Sequence, residues 1–133
     1  MKCVFFGSPE FAVASLEALL SSSHQVLGVV TQPDRPAGRG LKLEPPAVKK
    51  VALERGLPIL QPEKVNCAAT YEFLDRLKPE ILAVVAYGGF LGKRLLEYGR
   101  FRPVNVHPSL LPDLRGAAPM QWSLLRGYRE TGV

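Results

Sequence analysis

An open, doubly wound α/β fold with a mainly parallel sheet is the class this sequence predicts, on three observations. Short apolar runs, each long enough for one buried strand, occur at residues 4–6, 26–30 and 81–86. Stretches with apolar side chains at helical spacing separate them. Turn-forming residues such as Gly7, Gly56 and Lys78-Pro79 mark the joins. Strands that alternate with helices form parallel sheets through right-handed crossovers. The expected strand order is Rossmann-like, 3-2-1-4-5.

Residues 4–6 predict the first strand. Gly7 allows a turn, Ser8 is placed to cap a helix that begins at Pro9, and Glu10 suits its first turn. Phe11, Val13, Leu16, Leu19 and Leu20 follow at roughly helical spacing. Residues 26–30 are apolar throughout, as in a strand covered on both faces. Residues 31–46 hold four prolines and predict little regular structure. A helix resumes near Ala47 with the stripe Val48, Val51 and Ala52, and Gly56 is placed to end it. Residues 57–60 predict a short edge strand. Asn66 is placed to cap a helix whose Phe73, Leu74 and Leu77 face the core. Residues 81–86 are the most strand-like run. Tyr87-Gly88-Gly89 turns, residues 91–98 predict a helix, residues 103–106 a fifth strand, and residues 117–126 a last helix carrying Met120, Leu124 and Leu125.

With 133 residues the chain is long enough for one domain with one core. Seventeen Lys and Arg against twelve Asp and Glu give a net charge of +5, a mild bias toward anionic partners. Cys3 and Cys67 are far apart with no CxxC pair, so neither a zinc site nor a disulfide framework is predicted, and a reducing cytoplasm fits. The opening apolar run is too short for a signal peptide or a membrane span. Gly7-Ser8-Pro9-Glu10 lacks the further glycines that let backbone approach a pyrophosphate, so no nicotinamide dinucleotide is predicted. No metal is predicted.

Chemistry is concentrated in Asn105-Val106-His107. Residues two apart on a strand project to one side. A carboxamide and an imidazole therefore leave the strand end together, and both can donate hydrogen bonds. That pair suits a reaction in which negative charge grows on a carbonyl oxygen. Open α/β sheets bind ligands beyond the carboxyl ends of their strands, where strand order reverses. In the expected order, Gly7-Ser8, Ala86-Tyr87-Gly88 and Asn105–His107 converge there. The long loop of residues 31–43 mixes Arg35, Arg39 and Lys42 with Asp34, and glycines flank Arg39. It fits either a solvated loop or a phosphate-contacting arm. Lys93, Arg94, Arg100 and Arg102 form a second basic stretch, read as a solvated face. Trp122 is expected to serve the core, and His24 a structural or exposed position.

The segments 31–40, Val85-Ala86-Tyr87-Gly88, Asn105-Val106-His107-Pro108-Ser109-Leu110-Leu111-Pro112 and Arg115-Gly116-Ala117-Ala118-Pro119 together resemble the 10-formyltetrahydrofolate-dependent formyltransferases. The likeness runs from Phe5 to the last residue. The loop Gln32-Pro33-Asp34-Arg35-Pro36-Ala37-Gly38-Arg39-Gly40 is similar to the branch that formylates initiator methionyl-tRNA for translation initiation. The resemblance implies the formyltransferase fold, 10-formyltetrahydrofolate as co-substrate, initiator methionyl-tRNA as partner, and no membrane. It implies Asn105 and His107 as oxyanion-stabilising catalytic residues, with His107 also in the proton movements. It implies folate contacts from Ser109, Leu110, Leu111 and Pro112, completed by Tyr87, Gly88 and Leu91. Arg39, with Arg35 and Lys42, corresponds to the arm that meets tRNA.

The family's third catalytic residue is an aspartate after a segment matching Glu130-Thr131-Gly132-Val133, and its tRNA-binding barrel domain follows later. Residues 1–133 are therefore expected to be an N-terminal formyltransferase domain, incomplete at its C-terminus and inactive alone. Two other readings are a folate-dependent formyltransferase or formyltetrahydrofolate hydrolase with a small-molecule acceptor, and a noncatalytic folate- or RNA-binding module.

Overall fold

A five-stranded parallel sheet forms the centre of the molecule, in a computed structural model that describes residues 1–37 and 42–133. In chain order the elements are β1 (Lys2–Gly7), α1 (Glu10–Leu20), β2 (Gln25–Val30), β3 (Arg35–Ala37), β4 (Lys42–Glu44), α2 (Ala47–Glu54), β5 (Ile59–Leu60), α3 (Ala68–Leu77), β6 (Ile81–Val85), α4 (Lys93–Leu96), β7 (Val104–Val106) and α5 (Pro119–Leu125). The sheet order is β5-β2-β1-β6-β7. Without the small β3-β4 hairpin this is the expected 3-2-1-4-5.

The period-2 alternation of β1 divides the core. Val4 and Phe6 face one side with Val30, Phe73, Leu74, Leu82 and Leu95, under α3 and α4. Cys3 and Phe5 face the other with Ala12, Leu16, Val29, Val48 and Ala52, under α1 and α2. A sheet covered on both faces needs apolar strands throughout, and β1 and β2 supply them.

Some local expectations differ from the structure. Ser8 does not cap α1: the N-cap is Pro9, and no side chain caps that end. The Ser8 hydroxyl instead donates to the Tyr87 carbonyl (3.1 Å) and accepts from the Gln32 backbone N–H (3.1 Å) and the Thr31 hydroxyl (3.4 Å). Asn66 does not cap α3, whose N-cap is Cys67. Its amide donates to the Phe90 carbonyl (2.8 Å) and accepts from the Gly92 N–H (2.7 Å). In both cases a cap-type side chain finds loop backbone with no helix of its own to satisfy it, and those backbone groups win. Helix α1 buries Ala12 and Leu16, while Phe11 stays exposed, because small Ala12 lets the helix approach β1 closely. Helix α4 has four residues, fewer than residues 91–98 predicted. Helix α5 turns Pro119 and Ser123 inward and exposes Met120, Trp122, Leu124 and Leu125, so Trp122 does not serve the core.

Residues 35–37 and 42–44 pair as an antiparallel hairpin, β3-β4, which the proline count had argued against. Pro36 lies opposite Leu43 in this isolated two-stranded ribbon, where a missing N–H is tolerated. One polar cluster anchors its base. Lys49 Nζ on α2 contacts both Asp34 carboxylate oxygens, at 2.8 and 2.7 Å. Gln61 Nε2 donates to Asp34 Oδ1 (2.7 Å) and to the Gln32 carbonyl (2.8 Å). The Gln61 amide first, then the Lys49 ammonium, hold the Asp34 carboxyl below its ordinary value of 3.8.

Two outcomes follow from this packing. A Cβ at Gly7 would lie 2.6 Å from Phe5 Cε1, 2.9 Å from the Val85 carbonyl oxygen and 3.0 Å from Ala12 Cβ. Gly7→Ala should therefore cost about 1–3 kcal/mol, read as a lower urea midpoint with unchanged slope. For Asp34 the folded carboxyl is the stronger acid, so its stabilisation is complete above pH 3.8 and fades as pH falls through the lower folded value. Asp34→Asn should lower the melting temperature at pH 7 and make its decline below pH 4 shallower than in the parent, in a low-salt series.

Candidate active site

Strand β7 positions the carboxamide. It pairs in parallel with β6, setting Ala83 beside Val104, Val84 beside Asn105 and Val85 beside Val106. Val84 packs toward the α3-α4 side of the sheet and Val85 toward the α1-α2 side. Cross-strand partners share a face, so Asn105 lies on the α3-α4 side. His107 follows directly where the strand ends.

Both residues line one open cavity of about 750 Å³. Tyr87, Gly88 and Phe90 form one wall, and Ala118 and Met120 form another. The volume lies in the range of small-molecule sites. Apolar and glycine residues make up most of the lining beside Asn105, His107 and Gln121, which suits a flat ring with a polar edge. The cavity lies beyond the carboxyl ends of β6 and β7, one strand away from the place where strand order reverses. Gly7 and Ser8, expected to converge there, do not line it; Ser8 is occupied in joining the loops after β1, β2 and β6. Two non-glycine residues with left-handed backbone, Ala86 (φ 46°) and Ala118 (φ 56°), also line the cavity. Strain of this kind costs about 1–3 kcal/mol per residue and persists where the surroundings enforce it.

His107 is oriented from behind. Its Nδ1 lies 2.9 Å from the Ser109 hydroxyl, which donates to the Asp113 carbonyl at 2.7 Å. Ser109 is buried. Its hydroxyl is thus committed within the protein, while Leu110 and Leu111 are exposed and, like Pro112, do not line the cavity. Tyr87 and Gly88 do line it. The Tyr87 ring enters the core edge-on to Phe6, with centroids 5.6 Å apart. Burial, and secondarily the nearby Cys67 thiol, push its phenol up to about 12, so it stays neutral. Leu91 does not reach the cavity: it packs in the core with Val65 and Leu95.

Arg35 and Lys42 are exposed on the β3-β4 hairpin. Arg39, the remaining residue of that expected arm, lies outside the described residues. In the second basic stretch, Arg94 stacks 3.8 Å from the Tyr71 ring centroid and Arg100 lies 5.1 Å from that of Phe101. Those cations therefore cover aromatic rings. Among the described residues no cluster of three His, Cys, Asp or Glu could hold a metal, and no helix is long and apolar enough to cross a membrane. Sequence reasoning missed Gln61 and Lys49 as supports of the hairpin and Asn66 as support of the cavity wall. Their contacts span 15 to 29 residues, and nothing in local spacing marks them.

Comparison with known proteins agrees with this fold. The fold resembles a phosphoribosylglycinamide formyltransferase from Bacillus halodurans, with a TM-score of 0.74, 18% identity, and coverage of 98% of this chain and 68% of that one. It also resembles glycinamide ribonucleotide transformylase 1 from Geobacillus kaustophilus, with a TM-score of 0.72, 23% identity, and coverage of 98% and 70%. At these identities the likeness concerns the fold. In sequence the chain is 48% identical to a methionyl-tRNA formyltransferase of Sulfurihydrogenibium sp., covering all of this chain and 43% of that protein. It is 53% identical to one of Thermodesulfovibrio yellowstonii, covering 98% and 42%. The chain thus spans less than half the length of these relatives. The formyl transferase family model matches residues 1–133 from end to end, and on that match and the sheet order the chain belongs to the formyl transferase family.

Proposed function

We propose that the protein carrying this chain transfers the formyl group of 10-formyltetrahydrofolate to the methionine amino group of initiator methionyl-tRNA, with residues 1–133 as its N-terminal catalytic domain. The observation that carries this reading is the placement of Asn105 and His107 side by side on one cavity. Support for the acceptor comes from the relatives named methionyl-tRNA formyltransferase, near 50% identity. The β3-β4 hairpin adds to it by presenting Arg35 and Lys42 away from the sheet, as a phosphate-contacting arm would. Function in the cytoplasm, where charged tRNA is made and used, goes with this reading.

The chemistry follows from the groups. The acceptor amine attacks the formyl carbon held on N10 of the folate, and the carbonyl electron pair moves to oxygen. The Asn105 amide stabilises that oxygen as it becomes anionic. His107 manages the proton that the amine must lose. When the carbonyl reforms, the bond to N10 breaks and the folate departs. The cavity's apolar walls and the backbone groups of Tyr87-Gly88 take the folate ring, and the exposed Leu110-Leu111-Pro112 stretch contacts the rest of that molecule. The acceptor decides between this reading and a small-molecule formyl transfer, which the glycinamide-type neighbours perform by name. Charged initiator tRNA should be formylated by the full-length protein, and glycinamide ribonucleotide should not.

In the full-length protein, Asn105→Ala and His107→Ala should each lower kcat by about 10²–10³-fold while the thermal transition is kept. Retained turnover in both would remove the assigned roles. Arg35→Ala combined with Lys42→Ala should raise KM for charged tRNA and reduce its salt dependence by about two in log-log slope, with folate KM unchanged. A change confined to folate KM would contradict the arm assignment.

A further inference from the structure

Ser109 was expected to touch folate, but its hydroxyl is already committed on both sides. It is 2% exposed, lies 2.9 Å from His107 Nδ1 and 2.7 Å from the Asp113 carbonyl oxygen, and its own N–H donates to the His107 carbonyl at 2.8 Å. A hydroxyl has one proton to give. The Asp113 carbonyl has none, so the short Ser109–Asp113 contact requires the Ser109 proton. The Ser109–His107 contact must then take its proton from Nδ1.

From this count the geometry points to Ser109 as a positioning residue that holds His107 in the Nδ1–H tautomer, through the relay Asp113 carbonyl, Ser109 hydroxyl, His107 Nδ1. The neutral ring is left with its lone pair on Nε2, which forms no hydrogen bond among the described residues. A neutral His107 is therefore a proton acceptor at Nε2 and cannot donate to an oxyanion from that atom. Asn105 is the donor of the pair that needs no prior protonation. Resting on the formyl-transfer reading, the order of events becomes definite. As the C–N bond to the acceptor forms and the carbonyl pair moves to oxygen, the amine proton passes to Nε2. The resulting imidazolium then has an Nε2–H for the oxyanion. It returns that proton to N10 as the carbonyl reforms and the C–N10 bond breaks, so His107 ends neutral in its starting tautomer.

The ring itself can be observed without donor or acceptor. In the full-length protein with 15N-labelled histidine, the ring system that disappears in His107→Gln is that of His107. Long-range proton–nitrogen correlation under alkaline conditions distinguishes a protonated ring nitrogen from a bare one. The expected spectrum has Nδ1 of His107 protonated and Nε2 bare. Ser109→Ala should shift the ring to mainly Nε2–H, and Ser109→Thr, which keeps the hydroxyl, should retain the parent pattern. A parent spectrum with Nε2 protonated overturns the proposal at once, even if Ser109→Ala fails to fold. An unchanged ring pattern in folded Ser109→Ala overturns it equally. Formylation of charged tRNA by the full-length protein is a separate measurement, so the tautomer and the reaction can fail independently. If the tautomer stands, Ser109→Ala should lower kcat with folate KM unchanged; a raised folate KM with intact kcat would return Ser109 to the role of a folate contact.

Discussion

The Ser8 hydroxyl stands where three parallel strands end, and the local backbone is arranged about it. It donates to the carbonyl of Tyr87, just past β6, and accepts from the N–H of Gln32, just past β2, while its own residue directly follows β1. Parallel strands release their chains on the same edge, and backbone groups leaving the ladder there need new partners. One side chain satisfies groups from two neighbouring loops. The Tyr87 carbonyl is thereby fixed, and with it the start of the loop wall that lines the cavity together with Asn105 and His107. The other end of that wall is fixed by Asn66, which binds the backbone of both Phe90 and Gly92. The wall is therefore irregular chain held at both ends, which suits a surface that must meet a rigid ring.

The two residues proposed as catalytic, Asn105 and His107, are supported differently. Asn105 is held by the β6-β7 ladder, and its backbone direction is set by the sheet. His107 lies past the ladder and depends on a turn: Ser109 bonds both its ring and its carbonyl. A carboxamide has no protonation state to choose, and the sheet fixes where its backbone stands. An imidazole has two tautomers, and direction alone leaves its chemistry open. The Ser-Leu-Leu-Pro turn after His107 thus does more than direct the chain. Its first side chain is turned inward, with Leu110 and Leu111 left at the surface.

How much of this was legible in the sequence depended on the range of the interaction. The strand order followed from apolar runs and helical stripes, since burial on two faces leaves a continuous apolar signature in β1 and β2. The juxtaposition of Asn105 and His107 followed from a spacing of two. Ser8 and Asn66 were misplaced as helix caps because capping is a local pattern, whereas their partners lie 23 to 79 residues away. The β3-β4 hairpin was hidden by its prolines, which exclude a central strand and are harmless in a two-stranded ribbon. Leu91 illustrates the opposite error. Its place beside Tyr87-Gly88-Gly89 suggested the pocket, but its side chain packs in the core with Val65 and Leu95. For α5 the apolar spacing was real, yet Met120, Leu124 and Leu125 stay exposed.

In the proposed reading, chemistry and acceptor recognition rest on separate parts of this chain, and a run of hydrogen bonds joins those parts. Asn105 lies on β7 at the far edge of the sheet, and His107 directly follows that strand. The hairpin projects from the opposite half, between β2 and α2, and no hydrogen bond among the described residues joins it to β7. Its base is fixed by Asp34 between Lys49 and Gln61, and Gln61 also binds the Gln32 carbonyl. Gln32 is the residue whose N–H reaches Ser8. One chain of hydrogen bonds therefore runs from the hairpin base through Gln61, Gln32 and Ser8 to the Tyr87 carbonyl on the cavity wall. Each link is an ordinary bond of about 0.5–1.5 kcal/mol net, enough to hold a geometry and too little to impose a large conformational switch. The connection favours a fixed angle between hairpin and cavity, which is what the proposed reading needs of an arm that holds the acceptor while Asn105 and His107 meet its amine.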